Sequence, residues 1–560
     1  MTINRVTVFS ITLGFFITLV ANLASYGQEN DLTKEVQVVK PYEPSISDAF
    51  KINQMPQVED TIKLTPSFTY NLALRPVRTE FPVKPIPAAR MVAEPLNKVY
   101  RSYIKFGYGN YNSPLAEFYL SNVRSKNWSY GVAVKHHSSF GDIKIDNNDK
   151  VDGGFAKTSI MAFGKRMFEK SVLSASGGFR YYSYNFYGVD TMAIPIVPQI
   201  GFNPDEQYQR SLFVDISYHS THSDSTHINH KFNGGFKAFA DNYGMEQNTF
   251  SLKAEIDKFF KTERVGGTVE FTHHMKNSTL DSANNTIFRF SPWMGLFGKQ
   301  WRVKIGVNFA YDANSSGNQS HFFPTGTMSY DIVSHYVIPY IEFSGYLEDN
   351  NYAKLLSENP WIEPGLDVWN TRHKFIMMGG VKGNFNPRIA YNVNASFSLV
   401  DSMYFYVNPS STGTYLENRF NVVFDNIQHK RFLGELTVAA TSSINIFLQA
   451  EFNSYSMDKL KEPWHKPNYL GRALITYNLQ NKIILKSGFY IEGKRYIQSL
   501  AGAAQEIDGI IDLNLGIEYR YNSRLSAFLD LNNLTNHRHH AWYLYPTQQF
   551  NMKIGATYSF

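Results

Sequence analysis

Few side chains in this sequence are of a type and spacing that could do chemistry. Cysteine is absent, which removes thiolate nucleophiles, disulfide frameworks and cysteine zinc sites together. Histidines are the main candidates left. His219, His222, His227 and His230 bracket a predicted loop at 220–226. Imidazoles gathered there could hold zinc or copper, but no pattern of supporting partners that would orient the rings is readable. His537, His539 and His540 stand with Arg538 in a long polar stretch and read as solvated loop side chains. His136 and His137 are neighbours, as are His273 and His274; within a strand such rings point to opposite faces and cannot share one ion. Trp361 and Trp369 could stack on a sugar or a peptide, with nothing nearby to specify either. No set of Ser, His and Asp converges in a way that spacing alone foretells. The reading is of a protein that is not an enzyme, with no catalytic residue, no metal and no cofactor assigned.

The elements that would carry these side chains are strands. From about Tyr100 onward the sequence alternates with period two. Across 301–312, Trp301, Val303, Ile305, Val307, Phe309 and Tyr311 are apolar, and Arg302, Lys304, Gly306, Asn308, Ala310 and Asp312 lie between them. Across 511–521, Ile511, Leu513, Leu515, Ile517, Tyr519 and Tyr521 alternate with Asp512, Asn514, Gly516, Glu518 and Arg520. Successive side chains of a strand face opposite ways, so one face is greasy and the other polar. Many of the apolar faces begin and end in aromatics, as interfacial girdles require. Tight connections such as Gln480–Asn481 alternate with long ones at 349–370, 456–467 and 533–547. Short turns at one end and long loops at the other are a barrel signature. In lipid an open sheet edge would strand backbone polar groups, so the sheet must close. The expected fold is all-β: one transmembrane antiparallel barrel of about 22 strands, within a range of 20–24. The short run Met403 to Val407 is one strand candidate. Residues 351–361 have helical spacing and a proline stop, and read as a helical insertion at the outer rim.

Composition fits this and narrows the rest. Aromatics are 15% of 560 residues, with 36 Tyr and 43 Phe. A net charge of +6 without a basic run gives no footing for nucleic-acid binding. Residues 1–27 have the charged, apolar and small-residue order of a signal peptide, with cleavage expected between Gly27 and Gln28. Residues 28–98 hold nine prolines, which favours extended, polyproline-like chain in the periplasm over a packed domain. Residues 99–560 form the barrel.

The last strand is the most specific signal. Phe550, Met552, Ile554, Ala556, Tyr558 and Phe560 make its apolar face, and Asn551, Lys553, Gly555, Thr557 and Ser559 the other. It resembles the carboxyl-terminal β-signal read by the barrel assembly machinery, which is therefore an expected partner, with outer-membrane lipid the other. Ahead of it come Leu529, Asp530, Leu531, Asn532, Asn533, Leu534, Thr535 and Asn536, then Trp542, Tyr543, Leu544, Tyr545 and Pro546. Together these resemble the carboxyl end of TonB-dependent receptors, in which the corresponding residues are structural. The close match covers the end of the chain, and elsewhere the likeness is one of pattern. The sequence departs from that family ahead of the barrel: 28–98 is too short for the family's plug domain. Glu35, Val36, Gln37, Val38 and Val39 are similar to a TonB box, an extended segment that could add to a partner's sheet edge. The resemblance implies a cell outer-membrane barrel without a plug, acting as a passive channel or solute-uptake protein. The alternative is a membrane anchor that docks another envelope protein through 28–98 or through its outer loops.

Overall fold

Strands with one apolar face need a sheet whose other face is shielded, and here the sheet curls until its edges meet. The computed structural model describes residues 99–560, apart from 189–205, 223–225, 278–283, 315–316, 409–417 and 500–501. The expected signal cleavage at Gly27 and Gln28, the proline-rich segment 28–98 and the segment Glu35 to Val39 lie outside the described residues. Twenty-two antiparallel strands form one sheet, each paired with the barrel strand before and after it. The strand Ser102–Gly109 pairs with Ser113–Ser121 on one side and with the last strand, Asn551–Ser559, on the other, so no edge is left. Among the described residues no helix is long and apolar enough to cross a membrane.

The two faces follow the alternation. Along the last strand Met552, Ile554, Tyr558 and Phe560 are exposed on the outside, whereas Lys553 and Thr557 are buried on the inside. Trp301, Ile305 and Tyr311 are likewise outward and exposed, while Asp312 is buried and bonded to His321 at 2.9 Å. An outward surface this rich in Phe, Ile, Leu and Tyr is stable against lipid rather than water. The tight turns lie at one end. Gln480 and Asn481 both adopt left-handed backbone (φ 50° and 55°) and link Leu479 to Lys482 through a 2.9 Å hydrogen bond, the geometry that matches the twist of a two-residue hairpin. Both chain ends of the barrel lie at this end.

Two expectations are refined. The run Met403 to Val407 is not a separate strand: it completes Ile389–Val407 beyond a bulge, where Ser402 takes a φ of 53°. The helical insertion forms as Tyr352–Glu358, capped by the Asn351 side chain accepting from the Lys354 amide at 3.0 Å. It does not sit out on the rim. It reaches over the mouth, bonded to one wall through Tyr352 and Asp241 (2.8 Å) and to another through Tyr406 and the Leu355 carbonyl (3.2 Å).

Candidate functional site at the covered mouth of the barrel

Long loops rich in aromatics have two choices in water: stay solvated, or bury their rings against one another. Here they fold inward. Ile143, Tyr187, Leu355, Trp361, Phe420 and Tyr545 come from loops or strand ends spread around the sheet, and they belong to one buried apolar cluster. At its centre the Trp361 indole stacks on the Tyr545 ring, with centroids 3.9 Å apart and planes 19° apart. Tyr187 stands edge-on to both. Phe420 and Trp542 extend the cluster to His465. Burying each such side chain is worth about 1.5–3 kcal/mol, enough to hold loops that have little regular structure of their own.

The polar atoms carried in with these rings find backbone partners, as burial demands. The Trp361 indole N–H donates to the Asn185 carbonyl at 3.0 Å. The Tyr187 hydroxyl donates to the Pro546 carbonyl at 2.9 Å, and the Tyr545 hydroxyl to that of Asn418. The Asn418 amide donates to the Phe186 carbonyl at 3.1 Å. Burial pushes the Tyr187 and Tyr545 phenols far above their ordinary range, so both stay protonated donors. Leu544 turns the small hairpin that presents Tyr545 with a φ of 66°, a left-handed conformation costing about 1–2 kcal/mol, and its own side chain is buried in the cluster.

Beneath the cover, a polar network ties the loop at 349–370 to the wall. His274, 2% exposed, shares a 2.8 Å contact with Asp349. Burial pushes the Asp349 carboxyl up, but the hydrogen bond and charge of His274, with Arg289 and Lys354 behind them, hold it below its ordinary value. Asn350 and Asn370 are bonded to each other, and Asn370 reaches Asn285 and Asp312. A cavity of about 400 Å³ lies under the cover, between Tyr184, Tyr187 and Trp361 on one side and Asn532, Asn551 and Lys553 on the other.

The histidines separate as the strand geometry requires. His137 faces inward to Lys553, at 2.7 Å, and His136 outward to Thr158, at 2.8 Å. His274 is inward and His273 outward, against Thr286. His222 and His227 stack at 4.4 Å at the end that carries the tight turns. Among the described residues no group of three His, Asp or Glu side chains is placed to hold a metal. The loop carrying His537, His539 and His540 is not simply solvated: burial lowers the His539 imidazole, His540 meets Asp146 at 3.1 Å, and Arg538 donates to the Ile145 carbonyl. Trp361 is consumed by the cover, while Trp369 stacks on Phe424 and stays exposed. Tyr187 and Phe420 were not singled out by their sequence context, since neither sits in a periodic segment.

A closed sheet of 22 strands, tight turns at one end and long inward-folded loops at the other define the class: this is the barrel fold of TonB-dependent outer-membrane receptors. Solved structures of that shape superpose on it. The FrpB iron transporter from Neisseria meningitidis (F3-3 variant) does so with a TM-score of 0.66 at 11% identity, covering 83% of this chain and 82% of that one. The siderophore receptor PirA from Acinetobacter baumannii gives 0.64 at 10%, covering 83% and 81%. The ferric-catecholate import receptor Fiu from E. coli K12, in a closed form, gives 0.61 at 9%, covering 83% and 82%. At such identities the likeness is one of fold. No family profile and no curated protein matches the sequence.

Proposed function

We propose that this protein takes up a solute across the outer membrane, through a lumen whose outer entrance is shut at rest by its own loops. The observation that carries the reading is the aromatic cover itself, set over a wall lined with charged and amide side chains such as Arg302, Lys304, Asn308 and Asp312. A barrel that served only as an anchor would have no use for a polar inner wall beneath a packed apolar cover. On this reading the passive channel is a gated one, and opening the Trp361–Tyr545 contact is the step that admits the solute. Planar-bilayer recording tests it. The intact protein should show rare, small openings, and Trp361→Ala with Tyr545→Ala should show frequent, larger ones. Equal silence from both proteins rejects uptake through the lumen.

Residues 28–98 are proposed to be a plugless periplasmic arm, and the apolar face Phe550, Met552, Ile554, Ala556, Tyr558 and Phe560 to be what the assembly machinery reads. Replacing Val38 with Pro should abolish crosslinking to TonB if Glu35 to Val39 adds to a TonB sheet edge, since proline cannot donate to a strand ladder. Unchanged crosslinking removes that contact. Docking of an envelope protein through the arm is the competing reading, and deletion of 28–98 separates the two: loss of a stable partner favours docking, and altered permeability with the same partners favours uptake.

A further inference from the structure

The inner wall is not electrically uniform. Five consecutive barrel strands, Trp128–Ser139, Phe155–Met167, Ser171–Asn185, Glu206–Ser220 and Asn229–Asp241, place their inward residues in rows. One row runs Lys135, Ser159, Arg180, Ser211 and Phe239; the next runs His137, Lys157, Tyr182, Gln209 and Asp241. Cross-strand partners share a face. Phe239 belongs to the apolar cluster of the cover and Tyr182 packs against it, so both rows face the lumen. Lys237, two residues before Phe239, opens the row below. Lys135, Lys157, Arg180 and Lys237 thus converge on one cavity of about 540 Å³, roofed by Ala353 and Ser357 of the helix at the mouth.

Three of these cations lie beside aromatic rings, and Lys135 also faces Glu117 across its strand pair. Lys157 lies 4.5 Å from the Tyr182 ring centroid, Arg180 4.4 Å from that of Phe213, and Lys135 5.5 Å from that of Tyr119. Among the described residues none of the four is in an ion pair. Glu117 is the carboxylate lining the cavity, and it accepts a hydrogen bond from Tyr119 at 2.9 Å. Asp241, at the end of the second row, is engaged by Tyr352 and by the amides of Tyr243 and Met245. Elsewhere on the wall several cations are neutralised: Arg264 meets Asp257 at 2.7 Å, Arg431 meets Glu451 at 2.7 Å, and Lys253 meets Glu270 at 2.8 Å. Four cations around a single carboxylate leave the cavity net positive, and a site of this kind gains from an anion that fills it.

We infer that this cavity binds a small, multiply charged anion, bearing phosphate or carboxylate groups, on its way through the lumen. The inference rests on the uptake reading and names the chemical class of its solute. Four cations in one cavity suit two or more negative charges, and its volume is that of an ordinary small-molecule site. Tyr182 and Phe239 offer an apolar wall to the rest of the molecule. The helix that roofs the cavity is part of the cover, so opening the mouth would expose the site.

Calorimetry with the purified full-length protein in detergent tests this, with pyrophosphate and tricarballylate as separate probes. Both the intact protein and Tyr545→Ala are titrated, so that a shut mouth cannot hide the site. Saturable binding that weakens about tenfold with each of Arg180→Gln and Lys237→Gln, the scale of one charge-assisted contact, and that is unchanged by Lys304→Gln on another part of the wall, is the expected result. The stronger of the two probes tells phosphate from carboxylate. Absence of saturable binding to Tyr545→Ala, or equal weakening by Lys304→Gln, overturns the inference. Retained heat-modifiable gel mobility shows that each variant is a folded barrel. Binding without any effect of cover variants on conductance would sink the uptake reading and leave the site standing.

Discussion

Trp361 and Tyr545 lie face to face at 3.9 Å, although one follows a helix in the loop at 349–370 and the other belongs to the last long loop of the chain. Each hydroxyl or indole N–H of the trio Tyr187, Trp361 and Tyr545 is spent on a backbone carbonyl of a distant loop or strand end. The contact is therefore a fastening between loops, and removing either ring should release more than one of them.

Trp361→Ala is expected to remove about 3–5 kcal/mol of cover packing, the usual cost of deleting a large buried aromatic ring. The strand ladder does not depend on that ring. Proteolysis of the outer loops should accelerate while the barrel keeps its heat-modifiable mobility. Loss of the barrel itself would show that the cover is part of the fold rather than a closure upon it.

Acid should loosen the cover through His465. Burial, then Arg495 and Lys466, pushes this imidazole down to about 3, and both ring nitrogens are buried without a hydrogen-bond partner. Because the folded value lies below the unfolded one, near 6.5, the native state binds fewer protons. The neutral ring's contribution is complete above pH 6.5 and is lost progressively as the pH falls towards 3, at about 1.4 kcal/mol per unit. The His465 ring lies 5.0 Å from that of Trp542, tilted by 45°. Tryptophan fluorescence should shift to the red across that window in the natural protein and not in His465→Gln. An identical shift in both assigns the acid response elsewhere.

The seam between first and last strands carries a glycine pair, Gly107 opposite Gly555, beneath the ring of Phe528. A Cβ on Gly555 would stand 2.1 Å from the Phe106 carbonyl oxygen and 2.5 Å from the Phe528 ring. Phe528 is 6% exposed and carries Lys105 over its face at 4.2 Å, so it has little room to move. Gly555→Leu should cost about 1–3 kcal/mol by overpacking and appear as a larger unfolded fraction in urea. The double variant with Phe528→Ala should recover part of it; no recovery would place the strain in the backbone.

Ile554 points outward, 62% exposed, while its neighbour Lys553 is buried on the lumen side. A lysine is thus tolerated at one position and should not be at the next. Ile554→Lys is expected to destabilise the barrel by about 2–4 kcal/mol if it lies near the bilayer midplane, and Ile554→Val to be nearly silent. Refolding yield into lipid vesicles measures both. Equal yields would mean that this face does not meet lipid.

The strands, their two faces and the need for closure were all readable from the sequence alone. Period-two alternation is a local property: each residue's facing is set by its neighbours in the strand, whatever the strand pairs with. So 301–312, 511–521 and the last strand could be placed, inside and outside, without coordinates, and the resemblance at Leu529 to Asn536 and Tyr545–Pro546 pointed to the same barrel. The cationic rows were half legible in the same way, since Lys135, Lys157, Arg180 and Lys237 each stand at a polar-face position. That they share one cavity depends on the register of successive strand pairs, which alternation does not specify. The cover was not legible at all. Tyr187 meets Pro546 across 359 residues, and Trp361 meets Asn185 across 176. Loop contacts of that range have no period, and they form only where the closed sheet brings the loop ends within reach of one another. The sequence by itself determined a membrane barrel with a polar interior. Tertiary structure decided that one mouth is covered and which cations share a cavity, because both depend on which distant segments the closed sheet holds together.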